Sequence, residues 1–269
     1  MLLHRVLTAL VLLPLVFGLI LFAPQPFFEA AVVLVMAATA REWGRLAQCG
    51  RTVEFGLPVL VALVLAGISI FDSAFWAHSL LLAALALWSL SPLWLWRRWK
   101  LPAGAHCVAA MVLLPAAGLA LMLLHELGEF GVWLIAVLLM VWATDVGAYF
   151  AGRGFGNRKL APSISPAKTW EGALGGIFLA AAVAAGIAFW QAQGLWLEWS
   201  IGGLLVAAAS IVGDLIESLL KRQAGIKDSG RMLPGHGGAL DRLDSLLLAA
   251  PVFLAYGMLA GLFAGQAPA

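Results

Sequence analysis

The sequence predicts an all-α integral membrane protein of about nine transmembrane helices, with its N-terminus cytosolic and its C-terminus on the opposite side. Three observations predict it: an apolar composition, apolar runs long enough to cross a bilayer, and basic residues confined to one set of connections. Of 269 residues, 63% are hydrophobic and 11% charged, against roughly 45–50% and 25% in a soluble domain. A hydrocarbon core about 30 Å thick takes roughly 20 apolar residues per helix. Runs of that length exclude a β-barrel, whose strands alternate in short segments. They leave helices, which satisfy their own backbone groups in lipid.

The runs fall in order at 6–23, 27–40, 57–71, 74–96, 108–124, 131–150, 172–190, 201–220 and 245–264, punctuated by Pro, Gly or charge. The first follows Arg5 and ends at Pro24-Gln25-Pro26 without a small-residue cleavage site, so it reads as a retained span. The second is short, but Ala-rich flanks extend it toward Trp43. No repeat, low-complexity tract or linker divides the chain. It reads as one polytopic membrane domain over 1–269, with N-terminal helices in 1–130 and catalytic helices and cytosolic loops in 131–269.

Orientation follows from the basic residues, which concentrate in short cytosolic loops. Arg5 precedes the first run. Arg41, Arg45 and Arg51 follow the second, and Arg97, Arg98 and Lys100 follow the fourth. Arg153, Arg158, Lys159 and Lys168 follow the sixth, and Lys221, Arg222, Lys227, Arg231 and Arg242 follow the eighth. These groups hold all 16 Lys and Arg, and in a nine-span chain all fall on one side. Cys49 and Cys107 lie in or beside segments of that side, which argues against a disulfide framework.

Chemistry gathers in the C-terminal half. Asp145, Asp214 and Glu217 stand inside or at the edge of apolar runs. An unpaired charge at a helix centre costs about 2.5–3.5 kcal/mol, so three together would cost on the order of 8–10 kcal/mol without partners or a metal. Asp214, Glu217, Ser218 and Lys221 are spaced to share one helical face, and Asp241, Asp244 and Ser245 repeat the pattern at the start of the ninth run. Carboxylates are hard oxygen ligands, and Mg²⁺ is commonly held by one or two of them together with substrate phosphates. A divalent site is the expectation.

Between those faces lie Lys221-Arg222, Lys227-Asp228 and Pro234-Gly235-His236-Gly237-Gly238, then Asp241-Arg242-Leu243-Asp244. The cations can neutralise phosphate and the glycines let backbone N–H groups approach an anion. A basic juxtamembrane loop alone is explained by topology and attraction to anionic lipid, but interleaved Asp and paired Gly are not. His236 is either a ligand or a loop hydrogen-bonder. The earlier long loop carries Ser165-Pro166-Ala167-Lys168-Thr169-Trp170-Glu171-Gly172, which sets hydroxyls and Lys168 where a helix N-terminus favours an anion. Gly257, Gly261 and Gly265 form tandem GxxxG spacing, a close-packing face.

The run Ser218-Leu219-Leu220-Lys221-Arg222, Lys227-Asp228, Leu233-Pro234, His236-Gly237-Gly238, Asp241-Arg242-Leu243-Asp244 resembles the signature of the phosphatidate cytidylyltransferases, or CDP-diacylglycerol synthases. The segment from Ser165 to Gly172 and the stretch Asp145-Val146-Gly147-Ala148-Tyr149 are similar to further parts of that family. Ala239 stands where the family usually carries a larger aliphatic residue, and Ala167 where Lys is common. The resemblance implies an Mg²⁺-dependent reaction of CTP with phosphatidate to give CDP-diacylglycerol and pyrophosphate, with a second cation left open. It also implies a bacterial inner-membrane enzyme with its site facing the cytosol, a homodimer, a membrane-lipid partner and no nucleic acid. On that reading Asp214, Asp241 and Asp244 hold the metal. Lys168, Lys221, Arg222 and Lys227 grip phosphates, Asp228 and Arg242 orient the shell, and Ser165, Thr169, Ser218, His236, Gly237 and Gly238 line the substrate.

Three other readings are weaker. A secondary transporter would favour broken helices at the midplane and repeated halves; here the charges cluster at one boundary. A CDP-alcohol phosphotransferase would open its Asp series with Asp-Gly-x-x-Ala-Arg, which the sequence lacks. A non-catalytic scaffold leaves the intramembrane carboxylates unexplained.

Overall fold

A computed structural model of the protein describes residues 2–71, 74–191, 194–230, 232 and 237–263, with side chains from Leu10 onward. Each of the nine apolar runs is helical. Helix α1 is Leu2–Phe22, α2 Gln25–Leu46 and α3 Arg51–Phe71, followed by α4 Ala74–Ser89, α5 Ser91–Arg97 and α6 Ala103–Glu126. Then come α7 Val132–Phe155, α8 Trp170–Trp190, α9 Trp196–Gln223, the single turn α10 Leu240–Leu243 and α11 Leu246–Ala260.

Among the described residues seven helical stretches are long and apolar enough to cross a membrane, and the protein is an all-α integral membrane protein on that ground. Nine spans would require α1 and α2 to cross as well. The apolar stretch Leu10–Phe22 of α1 is shorter than the seven, and α2 carries Glu29, Arg41, Glu42 and Arg45.

Helix α6 is the hub, packed against α2, α3, α4 and α11, while α7, α8 and α9 form a second layer joined to it through α11. That layer is tight because its helices cross backbone to backbone at small residues. A Cβ at Gly147 of α7 would lie 2.6 Å from the Gly175 carbonyl oxygen of α8, and one at Gly203 of α9 would lie 2.7 Å from that of Ala180. At Gly213 a Cβ would run into the carbonyl oxygen of Asp244. This last contact presses the middle of α9 onto the junction between α10 and α11.

Three local expectations are revised. The long loop between α7 and α8 folds as an antiparallel hairpin of β1 (Lys159–Ala161) and β2 (Ser165–Thr169), whose stem closes on α8 through Trp170 N–H to the Arg158 carbonyl. Glu171 seals the same corner, accepting from the backbone N–H groups of Asn157 and Arg158. The ninth run does not begin as one continuous helix, because Asp244 and Ser245 form a turn between α10 and α11. The GxxxG spacing does not make an open packing face: the Phe263 ring covers Gly257, Gly261 ends α11 with φ +69°, and Gly265 lies outside the described residues.

Candidate active site

The acidic residues of α9 and of the α10–α11 junction form two neighbouring groups. Asp214, Glu217 and Asp244 each offer a carboxylate oxygen within 4.8 Å of the others. Asp241, one short helix earlier, points into a different set of partners. Its Oδ1 lies 2.9 Å from Lys221 Nζ, and its Oδ2 accepts from Gly238 N–H at 2.8 Å and from Ser229 N–H at 2.9 Å. Asp241 is thus held by protein donors and is not one of the three mutually close carboxylates, although it touches Glu217.

Lys221 joins the two groups, since its Nζ is also 2.5 Å from Glu217 Oε2. Glu217 is 2% exposed and buried against the Lys221 ammonium and the Asp241 carboxyl group. Asp214 is flanked on both oxygens: the Ser218 hydroxyl donates to Oδ1 at 3.2 Å and Lys168 pairs with Oδ2. A buried carboxylate is costly unless a charge compensates it. Asp214, Glu217, Asp241 and Asp244, with Asp145 on the same cavity wall as Asp214, outnumber the ammonium groups of Lys168 and Lys221. A divalent cation among hard oxygen donors offsets part of that excess, so the residues present fit such an ion.

Lys168 reaches Asp214 because it sits near the end of β2, one residue before Thr169, whose hydroxyl caps α8 by accepting from Gly172 N–H at 3.1 Å. These two residues and Asp145, Tyr149, Arg153 and Asp214 line a cavity of about 410 Å³ between α7, the hairpin and α9. Its size suits a nucleotide-scale ligand. Ser165 is half-buried in β2. Arg222 Nε donates to the Ile164 carbonyl at 3.2 Å and so ties the hairpin to α9. Lys227, Asp228 and Arg242 are exposed. Gly237 has φ +83°, a conformation glycine adopts freely, and this delivers Gly238 N–H to Asp241. His236 lies outside the described residues.

Sequence reasoning missed the support that arrives from the N-terminal half. Glu42 of α2 is buried, and its Oε2 accepts from the Ser229 hydroxyl at 2.7 Å and from Leu240 N–H at 2.9 Å. The second bond satisfies an N–H that the start of α10 would otherwise leave unpaired. The same Ser229 hydroxyl is 2.9 Å from Asp241 Oδ2 and serves one carboxylate at a time with its single proton. Arg45, one turn along α2, donates to the Ser229 carbonyl oxygen. The available signal was a carboxylate at the end of an apolar run, within Arg41-Glu42-Trp43, where the neighbouring arginines read only as topology.

Residues 3–260 match the sequence model of the cytidylyltransferase family. A phosphatidate cytidylyltransferase of Pseudomonas aeruginosa is 41% identical over 274 residues, covering 95% of this chain and 96% of the relative. One from Haemophilus influenzae is 47% identical over 125 residues, 45% of this chain and 43% of the relative. One from Brucella suis is 47% identical over 154 residues, 53% of this chain and 56% of the relative.

Proposed function

The chain belongs to the cytidylyltransferase family and transfers the cytidylyl group of CTP to phosphatidate, giving CDP-diacylglycerol and pyrophosphate; we propose that it does so at the carboxylate cluster of α9 and the α10–α11 turn. The observation that carries this reading is the convergence of Asp214, Glu217 and Asp244 within 4.8 Å of one another, with Glu217 buried. These three residues would hold Mg²⁺. A bound divalent cation there neutralises triphosphate charge and orients the reacting phosphate.

A phosphate oxygen of phosphatidate attacks the α-phosphorus of CTP in line. The new P–O bond forms as the bond to the β-phosphate breaks, and pyrophosphate leaves. The nucleophile is already an anion at neutral pH, so neither a nucleophilic side chain nor a strong general base is required. The protein's work is positioning and charge neutralisation. Lys168, on the wall of the 410 Å³ cavity, is suited to a phosphate oxygen, as are Arg222, which ties the hairpin to α9, and the exposed Lys227. Thr169 and Ser218 buttress the wall. Lys221 keeps Glu217 and Asp241 at their stations, and Asp241, next to Arg242 in α10, fixes Ser229 and Gly238.

The one-sided distribution of Lys and Arg supports a site facing the cytosol, with the N-terminus on that side and the C-terminus opposite. Bacterial relatives support an inner-membrane location. One polytopic domain, a second cation and a homodimer rest on the sequence reading and the resemblance. The assay is purified protein in detergent with labelled CTP, phosphatidate and Mg²⁺, scored for CDP-lipid. Product that vanishes with EDTA and in Asp214→Asn supports the proposal. Wild-type protein that makes none, or an Asp214→Asn variant of full activity, overturns it.

A further inference from the structure

Among the described residues, three buried side-chain polar atoms without hydrogen-bond partners gather at a second cavity that plays no part in the transfer described above. Trp88 Nε1, Ser91 Oγ and His106 Nδ1 are all without partners, and the three residues that carry them line this one cavity of about 250 Å³. Each of the three is only 5–6% exposed. Buried polar groups are normally paired, and leaving one unpaired costs about 1–3 kcal/mol.

The cavity forms where the span Phe75–Arg97 breaks at Leu90. Pro92 has no N–H to offer the preceding turn, so the helix restarts as α5 and a gap opens toward α6 and α9. Ile216 forms its α9 wall. Two residues along a helix is a rotation of roughly 200°, so Ile216 faces away from Asp214 on α9.

We propose that this cavity binds the uncharged, oxygen-bearing end of an acyl lipid. No charged residue lines it, which excludes a phosphate or ammonium headgroup. The remaining walls are largely Trp and Leu. At liquid density the volume would take about eight waters, each wanting about three hydrogen bonds, against three buried side-chain atoms free to bond them. A stretch of acyl chain fills the same space with apolar contact. An ester or hydroxyl oxygen at its end accepts from Trp88, exchanges a hydrogen bond with Ser91 and meets His106, which donates or accepts according to tautomer. Leu87, Leu90 and Leu93 line the cavity and are also exposed, so the mouth opens on the lipid-facing surface and the occupant enters sideways. Two sources share this chemistry: a neutral acylglycerol, and a bilayer phospholipid that inserts its ester region and keeps its head outside.

The test uses the full-length protein in nanodiscs with two photoactivatable probes, a diazirine monoacylglycerol and a diazirine phosphatidylcholine, and maps labelled peptides by mass spectrometry. Saturable labelling within residues 87–113, displaced by unlabelled monoacylglycerol, is expected. Ser91→Val should weaken it about tenfold, the worth of one good hydrogen bond, and Ala109→Phe should block it, with CDP-lipid formation unchanged in both. Labelling by the monoacylglycerol alone identifies the neutral source, and labelling by both probes identifies the bilayer. If Ala109→Phe lowers the melting temperature, Ser91→Val decides. Labelling that is absent, that rises linearly with probe, or that is equal in Ser91→Val overturns the proposal.

Discussion

Glu42 and Ser229 stand 187 positions apart in the chain and 2.7 Å apart in space, carboxylate oxygen to hydroxyl. Through this bond and the one to Leu240 N–H, α2 clamps the loop that supplies Asp241. Glu42→Ala leaves the Ser229 hydroxyl and the Leu240 N–H without this partner, at a cost of about 2–4 kcal/mol. Turnover should fall at least about tenfold through misplacement of the loop. Glu42→Gln keeps an acceptor oxygen and should retain most activity. Melting temperature and CDP-lipid formation in the two variants check this.

Lys221 lies between Glu217 and Asp241, at 2.5 and 2.9 Å. Lys221→Met preserves the length of the side chain but leaves two carboxylates without their shared cation. Removing one partner of a buried ion pair costs about 3–5 kcal/mol. Adding Asp241→Asn should restore part of that loss, because contacting charges couple by roughly 0.5–3 kcal/mol. A double variant as unstable as the sum of the singles would contradict the bridging role.

Gly213 has no room for a methyl group, since a Cβ would meet the Asp244 carbonyl oxygen. Gly213→Ala must push α9 away from the α10–α11 turn, at about 1–3 kcal/mol. That motion separates Asp214 from Asp244, so the Mg²⁺ concentration for half-maximal activity should rise about tenfold or more, the usual effect of disturbing the support of a metal ligand. An unchanged Mg²⁺ requirement would count against the shared cation.

The helices were legible because apolar runs of membrane length have few other ways to fold, and the face Asp214-Glu217-Ser218-Lys221 followed from helical spacing alone. Asp241 was harder to place. Helical spacing puts it beside Asp244, but Asp241 is taken up by Lys221, Ser229 and Gly238 while Asp244 meets Asp214 and Glu217. Glu217 was seen to need a partner, yet its place as the third oxygen of the cluster depends on how closely α9 meets the turn at Gly213. Glu42 could not be linked to the site from sequence, because its role exists only in a contact between the first and last parts of the chain. The β1–β2 hairpin was hidden by its brevity: three and five residues among Gly, Ser and Pro carry no strand period.

Cys49, in the connection between α2 and α3, has its Sγ 2.8 Å from that of Cys107. Burial, together with the neighbouring thiol, pushes its pKa up to about 12. Only the thiolate is nucleophilic, and at pH 8 its fraction would be about 10⁻⁴. Alkylation of Cys49 by iodoacetamide, followed by peptide mass spectrometry, should therefore be slow at pH 7 and rise about tenfold per pH unit through pH 9. A plateau below pH 9 would contradict the raised value.

Manganese is the most direct probe of the central claim, that Asp214, Glu217 and Asp244 share one divalent cation. Mn²⁺ titration of the detergent-solubilised protein, followed by electron paramagnetic resonance, should show saturable binding. Glu217→Gln and Asp244→Asn should each weaken it by at least about tenfold, and Asp241→Asn by less. Wild-type affinity retained in Glu217→Gln, or a greater loss in Asp241→Asn than in Asp244→Asn, would contradict the account.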